Sequence, residues 1–146
     1  MRYRLVLGDW SSVKSGAQAV RHEVFVIEQK VPLALEWDEM DALSLHALVV
    51  DEAGMAVATG RLLPDGHIGR MAVRKTWRGG GIGAMVLQAL MDEAKRRGDR
   101  AVLLHAQTHA LPFYARHGFV REGEEFIEAG IPHICMRCDF GELAGD

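Results

Sequence analysis

The segment 78–84, Arg-Gly-Gly-Gly-Ile-Gly-Ala, places a glycine-rich loop directly before an amphipathic helix. Glycine lets the backbone adopt positive φ angles and approach a ligand closely. The first N–H groups of a helix lack intrahelical acceptors, and the helix dipole adds partial positive charge at that end. Together with the guanidinium of Arg78, these groups predict a binding site for phosphate or pyrophosphate.

Two common phosphate-binding loops do not match this segment. A P-loop ends in Lys-Ser/Thr, and neither residue type is present in the segment. The pattern Gly79-x-Gly81-x-x-Ala84 meets the loose dinucleotide fingerprint, but residues 74–78 separate it from the preceding predicted strand. The acidic ribose ligand of that fingerprint is expected about 20 residues later, where this chain has Leu103-Leu104-His105. Nucleotide hydrolysis and dinucleotide binding are therefore disfavoured.

Candidate general bases are spread along the chain and belong to no single motif. They are Glu28, Asp38, Asp41, His46, His105 and His133. Each carboxylate, taken alone, is more simply a solvated or helix-capping group. The clustering of acids within residues 28–46, beside Trp37, favours an acceptor pocket, and Arg21 is a candidate for ordering these carboxylates.

Length and charge limit the partners to be expected. The 146 residues predict one domain, 1–146, with a substantial core. The formal net charge of −3 gives no reason to expect a nucleic acid or an anionic membrane as partner, so an anion site must be local. The chain has no leader-like start and no apolar run near the roughly 18 residues of a membrane span, which predicts a cytoplasmic protein.

The two cysteines, Cys135 and Cys138, superficially resemble half of a redox or metal site. They fall in a predicted strand, where a separation of three residues puts their side chains on opposite faces. No second cysteine pair completes a zinc site. We therefore expect reduced structural thiols and no metal.

Hydrophobic periodicity predicts ten secondary-structure elements. Strands are predicted at residues 2–7, 46–51, 55–63, 68–73, 101–106, 119–126 and 133–140, and helices from residue 12 or 15 to about 26, at 84–97 and at 108–117. Residues 28–44 are predicted to be irregular. This order indicates an α/β protein with helices packed on a mixed sheet. Residues 68–106 form one strand–helix–strand crossover, expected to be right-handed with parallel strands.

Three motifs together resemble the GNAT superfamily of acyl-CoA-dependent N-acyltransferases. Arg78-x-x-Gly81-x-Gly83-Ala84 is similar to the pyrophosphate loop of that family. Residues 69–73, Gly-Arg-Met-Ala-Val, resemble its fourth strand, which splays from the fifth and leaves a slot for pantetheine. Residues 113–119, Phe-Tyr-Ala-Arg-His-Gly-Phe, resemble its Phe-Tyr-x-x-x-Gly-Phe signature. The resemblance implies a mixed central sheet with a splayed parallel strand pair and helices on both faces.

A closer resemblance is to the ElaA-like bacterial subgroup. Residues 21–29 match its Arg-x-x-Val-Phe-Val-x-Glu-Gln start, and Asp38, Asp41 and His46 match its acidic pair and the histidine that follows. Residues 106–107 and 130–136 match later blocks. One departure is that residues 31–35, around the proline, lack the tyrosine that is common in the subgroup.

The resemblance implies transfer of an acetyl group from acetyl-CoA to a primary amine of a small molecule or peptide, by direct attack of the amine on the thioester. It implies that Tyr114 is the general acid toward the CoA thiolate, because a phenol with a pKa near ~10 is protonated at neutral pH. The residues implied to hold acetyl-CoA are Met71, Ala72, Val73, Arg78, Gly79, Gly80, Gly81, Ile82, Gly83, Ala84, Gln107 and Tyr114. The resemblance implies no metal, and it is compatible with a homodimer.

Two other functions stay open on the sequence. Arg21, Phe25, Glu36, Trp37, Asp38, Asp41 and Arg61-Leu62-x-Pro64 resemble acyl-homoserine lactone synthases, although those chains are longer and lack this glycine loop. The other alternative is a non-catalytic domain that binds acyl-CoA as a sensor, since no base is identified. Release of CoA thiol with a panel of amines distinguishes an enzyme from a sensor.

Overall fold

The computed structural model describes residues 2–141 of the chain. Its strands are β1 (Tyr3–Gly8), β2 (Leu45–Asp51), β3 (Ala56–Leu62), β4 (Ile68–Val73), β5 (Ala101–Gln107), β6 (Val120–Glu128) and β7 (Ile131–Asp139). Its α-helices are α1 (Trp10–Arg21), α2 (Leu33–Glu36), α3 (Ile82–Arg96) and α4 (Leu111–Arg116). A π-helix spans His22–Glu28, and 3₁₀ turns lie at Glu39–Leu43, Lys75–Trp77 and Thr108–Ala110. None of the helices in this part of the chain is long and apolar enough to cross a membrane.

Hydrogen bonding divides the strands into two antiparallel sheets. The first sheet has the order β1-β2-β3-β4, and the second has the order β5-β7-β6. The parallel strands β4 and β5 meet at one bridge, between His67 and Leu103, where the Leu103 N–H donates to the Gly66 carbonyl at 3.1 Å. Beyond this bridge the two strands part. The structure thus confirms the predicted α/β fold with a splayed parallel strand pair.

Helices cover both faces of the sheets, as predicted, and each face has its own apolar core. On one face, Val13, Ala17 and Val20 of α1 pack with Leu48 and Val50 of β2. The opposite, larger core contains the buried stripe of α3 and residues from both sheets: Val86, Leu87, Leu90, Met91, Ala94, Val49, Val57, Val102, Leu104 and Met136. Among the described strands, none fills the gap between β4 and β5.

The first helix differs from the prediction at both ends. Asp9 caps α1, since its carboxylate accepts from the Ser12 N–H at 3.1 Å, so the helix begins at Trp10 and not at residue 12 or 15. At its other end the predicted helix does continue past residue 21, but as a π-helix in which the Gln29 N–H donates to the Val24 carbonyl, five residues back.

A bulge interrupts β4 beside the gap. Ala72 pairs with Thr59 and Gly69 with Arg61, so Arg70 and Met71 lie opposite the single residue Gly60. Arg70 has a φ of 48°, a left-handed conformation that is uncommon for a residue other than glycine. A bulge leaves backbone groups out of the ladder and bends the strand. The bulge therefore frees backbone groups of β4 at the edge of the gap.

The β6–β7 hairpin positions the last functional side chains. Its two-residue turn, Ala129-Gly130, has positive φ at both positions (52° and 78°), as a type I′ turn requires. The register then pairs His133 with Phe126 on β6 and with Gln107 on β5. Both strands extend closer to the turn than the predicted ranges 119–126 and 133–140.

Candidate functional site

A cleft of about 1510 Å³ lies where β4 and β5 part. It is lined by nearly all the residues predicted to hold the co-substrate: Met71, Ala72, Val73, Arg78, Gly79, Gly81, Ile82, Gly83, Ala84, Gln107 and Tyr114. Gly80 belongs to the same loop but does not line the cleft. Among the candidate bases, Glu28, Asp38, His105 and His133 line it, whereas Asp41 and His46 do not.

The glycine loop presents an uncapped helix end to this cleft. The first intrahelical bond of α3 runs from the Met85 N–H to the Gly81 carbonyl at 3.0 Å, so the N–H groups of residues 82–84 have no intrahelical acceptor. No side chain caps this end. Gly81 has a φ of 84°, and a Cβ built there would meet no heavy atom within 4 Å. The loop is therefore open on the side from which an anion would approach.

Two polar pairs connect the end of the π-helix and the next residue, Gln29, to the rim of the cleft. The guanidinium of Arg78 donates to both carboxylate oxygens of Glu28, at 2.7 Å each, and its Nε donates to the Val73 carbonyl at 2.9 Å. The Gln107 amide donates to Oε1 of Gln29 at 2.9 Å. The bond from Arg78 lowers the pKa of the Glu28 carboxyl, which makes this residue a weak proton acceptor.

Tyr114 lies on α4 between two aromatic rings. Its ring makes edge-to-face contacts with Phe113 and Phe119, at centroid distances of 5.0 and 5.9 Å. Desolvation by these neighbours raises the pKa of the phenol to about 12, so Tyr114 is protonated at neutral pH. The structure thus supplies a neutral proton donor at the side of the cleft.

On the opposite wall of the cleft, a network of ion pairs holds the irregular segment. Arg21, which is 1% exposed, donates from Nε to Glu36 at 2.5 Å and from its terminal nitrogens to Asp41 at 2.7 and 3.1 Å. Arg61 on β3 donates to Asp41 at 2.9 Å. The hypothesis that Arg21 orders these carboxylates agrees with this geometry, and Asp41 is fully engaged by two guanidinium groups.

Asp38 and His46 complete this network. Asp38 receives two hydrogen bonds from Arg61, at 2.6 and 2.8 Å, and these bonds hold the pKa of its carboxyl below the usual range. His46 is buried, and its Nε2–H donates to the Asp41 carbonyl at 2.9 Å. Desolvation lowers the pKa of His46, so its imidazole is neutral at pH 7. Both side chains are committed to holding residues 36–41 against the sheet.

A second cluster of titratable side chains lies on the sheet formed by β5, β7 and β6. Nδ1 of His105 lies 2.9 Å from Oε1 of Glu128, and Nε2 of His133 lies 3.7 Å from the other carboxylate oxygen, Oε2. The ring of Phe126 stacks on His133, with centroids 5.9 Å apart and planes inclined by 25°. Glu128 and Phe126 are absent from the sequence-based candidates, because only the hairpin register brings them to His133.

The described part of the chain contains no set of side chains suited to bind a metal ion. Within residues 2–141, no group of three or more His, Cys, Asp or Glu side chains is arranged to hold a metal ion. Cys138 is buried and Cys135 is partly exposed, and both are free thiols. Burial raises the pKa of both thiols, so they are protonated at neutral pH.

Comparison with known proteins identifies the family. Residues 12–140 match the sequence model of the acetyltransferase (GNAT) domain. The chain belongs to the GNAT family. Over 124 residues it is 42% identical to the uncharacterized N-acetyltransferase YjcF of Bacillus subtilis, covering 82% of this chain and 88% of that protein. Members of this family are acyltransferases that use acyl-CoA donors and amine acceptors.

Solved GNAT structures share the whole architecture. An acyl-CoA N-acyltransferase from Pseudomonas aeruginosa superposes with a TM-score of 0.84 at 31% identity, covering 94% of this chain and 99% of that chain. Escherichia coli ElaA superposes with the same TM-score of 0.84 at 27% identity, covering 94% and 100%. The resemblance to ElaA-like GNAT proteins drawn from the sequence is thereby confirmed.

Proposed function

We propose that this GNAT protein transfers an acetyl group from acetyl-CoA to a primary amine of a small molecule or peptide, and that the amine attacks the thioester directly. The observation that carries the proposal is the uncapped N-terminus of α3, with its open glycine loop, at the mouth of the cleft between β4 and β5. Such a terminus suits an anionic donor, because unpaired N–H groups and the helix dipole both favour negative charge.

The donor would lie along the splayed strands. Its pyrophosphate would accept from backbone N–H groups of residues 81–84, and its pantetheine amides would pair with β4 beyond the bulge at Arg70 and Met71. An N–H of β4 beside the bulge would also polarise the thioester carbonyl, because donors fixed in a low-dielectric cleft stabilise a developing oxyanion strongly. Gln107, at the end of β5, would bind the pantetheine from the other side.

Tyr114 would protonate the leaving group. The thiol of CoA has an ordinary pKa near ~8.5, so proton transfer from a phenol to the thiolate is uphill and must be coupled to proton loss from the attacking nitrogen. Because burial raises the pKa of Tyr114 to about 12, the phenolate that forms would be reprotonated at once by the proton that the attacking nitrogen loses. The residue would therefore act as a relay and return to its neutral form.

The test is release of CoA thiol from acetyl-CoA with primary amines, for the wild type, Tyr114→Phe and the control Tyr3→Phe. Tyr3 is the only other tyrosine and lies on β1. Loss of a general acid should lower kcat by about 100-fold in Tyr114→Phe, with Tyr3→Phe within twofold of the wild type. Equal rates for the two variants would remove Tyr114 from the mechanism, and thiol release that no amine stimulates would overturn the proposed function.

A further inference from the structure

We infer that Glu128, His133 and Phe126 form the binding site for the protonated amine of the acceptor, and that Nε2 of His133 removes its proton. This inference rests on the proposed function and names the part of the cleft that receives the second substrate. We call the three residues the ammonium site. All but Phe126 line the same cleft as the glycine loop and Tyr114.

The tautomer of His133 is determined by its backbone contact. Its Nδ1 lies 2.7 Å from the carbonyl oxygen of Ile131. A carbonyl oxygen can only accept, so Nδ1 carries the hydrogen, and in the neutral imidazole Nε2 has a free electron pair. His133 is 6% exposed, and Nε2 makes no hydrogen bond within residues 2–141. Because His133 lines the cleft, this nitrogen can accept from a donor group bound there.

Glu128 supplies the second acceptor and the negative charge. Nδ1 of His105 donates to Oε1 of Glu128 at 2.9 Å and so fixes the carboxylate. The other oxygen, Oε2, lies 3.7 Å from Nε2 of His133, too far for a hydrogen bond. Two acceptors at this separation are both satisfied by one donor group with several N–H bonds placed beside them. A primary ammonium group has this chemistry, and its positive charge is matched by the carboxylate.

Phe126 shapes the rest of the site. Its ring stacks on His133 and meets His105 edge-on, with centroids 5.9 and 5.2 Å apart. Phe126 does not line the cleft, so its part is to hold the two imidazoles in position. The Glu128 carboxylate and the free nitrogen of His133 together favour a cationic amine over an anionic acceptor.

The other candidate bases have partners that lower their suitability. Glu28 is paired with Arg78, Asp38 with Arg61, and Asp41 with both Arg21 and Arg61. His46 donates to a backbone carbonyl and does not line the cleft. By contrast, His133 is paired in register with Gln107 at the end of β5, on the strand that bounds the donor slot. Two of the six candidates, His105 and His133, line the cleft without a cationic partner. The His105 side chain is 40% exposed and holds Glu128 through Nδ1, whereas the His133 side chain is only 8% exposed, which favours His133 as the base.

The protons balance as follows. The bound ammonium loses one proton to Nε2 of His133, and the freed electron pair forms the C–N bond at the thioester carbonyl. The C–S bond breaks, and the sulfur takes a proton from Tyr114. A second proton leaves the nitrogen and restores the phenol, while the third remains on the amide. His133 then releases its proton to solvent, which leaves the amide, CoA thiol and one proton.

The experiment measures thiol release with benzylamine, spermidine and Nα-acetyl-lysine methyl ester, for the wild type, Glu128→Gln, His133→Gln and the control Glu125→Gln. Glu125→Gln removes the same charge from the same strand, but Glu125 does not line the cleft. We expect Glu128→Gln to raise the KM for the amine at least tenfold and His133→Gln to lower kcat by about 100-fold. Neither variant should change the KM for acetyl-CoA more than twofold, and Glu125→Gln should match the wild type.

The outcomes separate this inference from the proposed function. If the wild type turns over an amine and both variants behave like Glu125→Gln, the ammonium site is wrong and the acyltransferase assignment stands. If all KM values, including that for acetyl-CoA, change together, the residues are structural and the inference is again overturned. If the wild type binds acetyl-CoA but turns over none of the three amines, the proposed function is wrong, and the ammonium site is excluded with it.

Discussion

At the scale of single residues, the pairing of Arg78 with Glu28 has the clearest consequence for donor binding. The guanidinium predicted to meet pyrophosphate already holds a carboxylate, through two hydrogen bonds of 2.7 Å. Because the pKa of Glu28 is lowered by Arg78, the carboxylate is charged at neutral pH. It would therefore compete with an incoming pyrophosphate for the same donor and repel its charge.

Glu28→Gln should tighten the binding of CoA, with a Kd about three- to tenfold lower by isothermal titration. The matched control is Glu23→Gln. Glu23 lies on the same π-helix and pairs with Arg74 at 2.7 Å, but it does not line the cleft. Weaker binding in Glu28→Gln would show instead that Glu28 holds Arg78 in its binding position, and the idea of competition would be discarded.

The glycine loop and Tyr114 each belong to a short contiguous motif, so the residue types alone could indicate them, and the structure brings both to one cleft. Glu128 and Phe126 could not be found in this way, because their approach to His133 depends on the register of β6 with β7. The Ala129-Gly130 turn was the available signal, since a two-residue hairpin turn determines which residues pair.

At the scale of elements, the bulge in β4 depends on a glycine in the neighbouring strand. A Cβ on Gly60 would lie 2.8 Å from a methyl group of Val86 and 3.1 Å from side-chain atoms of Leu90 and Met71. Glycine at this position leaves room for Val86 and Leu90 of α3 and for the bulged residue Met71, which all pack against the same point. Close packing of β3 against α3 thus helps to determine the shape of β4, the strand that borders the cleft.

Gly60→Ala should therefore lower the free energy of unfolding by about 1–3 kcal/mol, because overpacking forces side chains or backbone to shift. It should also raise the Kd for CoA, since Met71 lines the cleft. The control for stability is Gly69→Ala on β4, where a Cβ meets no heavy atom within 4 Å. Urea denaturation compares the two variants, and equal stability of the two would refute the packing argument. Because Gly69 also lines the cleft, CoA titration compares Gly60→Ala with the wild type.

The apolar pattern predicted the elements well where it is strong, as in the periodic stripe of α3 and the continuous apolar runs of β2 and β3. It could not predict the bulge or the π-helix. Both are one-residue shifts in hydrogen bonding that leave the hydrophobic pattern almost unchanged, so the composition of residues 22–28 and 69–73 carries little trace of them.

At the scale of the whole molecule, the network of Arg21, Glu36, Asp38, Asp41 and Arg61 connects parts of the chain that are far apart in sequence. It joins α1, the irregular segment at 36–41 and β3, and Arg70 extends it to β4 through Asp38 at 3.2 Å. Fixing these residues together sets one wall of the cleft. The sequence suggested an acidic cluster near Arg21, but the role of Arg61, 20 residues beyond Asp41, required the folded structure.

Arg21→Met should destabilise the protein by about 3–5 kcal/mol, because removing one partner leaves buried carboxylates without compensation. The control is Arg96→Met, whose side chain is 72% exposed and pairs with Glu93 on the surface of α3. That change should alter stability by less than about 1 kcal/mol. Chemical denaturation of both variants at pH 7 measures the two losses of unfolding free energy. Similar losses would mean that the buried network contributes no more to stability than an ion pair on the surface.

The central claim is that the glycine loop at the start of α3 binds the acyl-CoA donor. The most direct measurement is isothermal titration of CoA into Gly81→Val and Gly54→Val. Both glycines have a φ of 84° and open space around a built Cβ, so both substitutions cost similar backbone strain. Gly54, however, lies in the β2–β3 turn, outside the cleft. We expect CoA binding to weaken at least tenfold in Gly81→Val and to be unchanged in Gly54→Val. Equal affinity of the two folded variants would contradict the assignment of the loop.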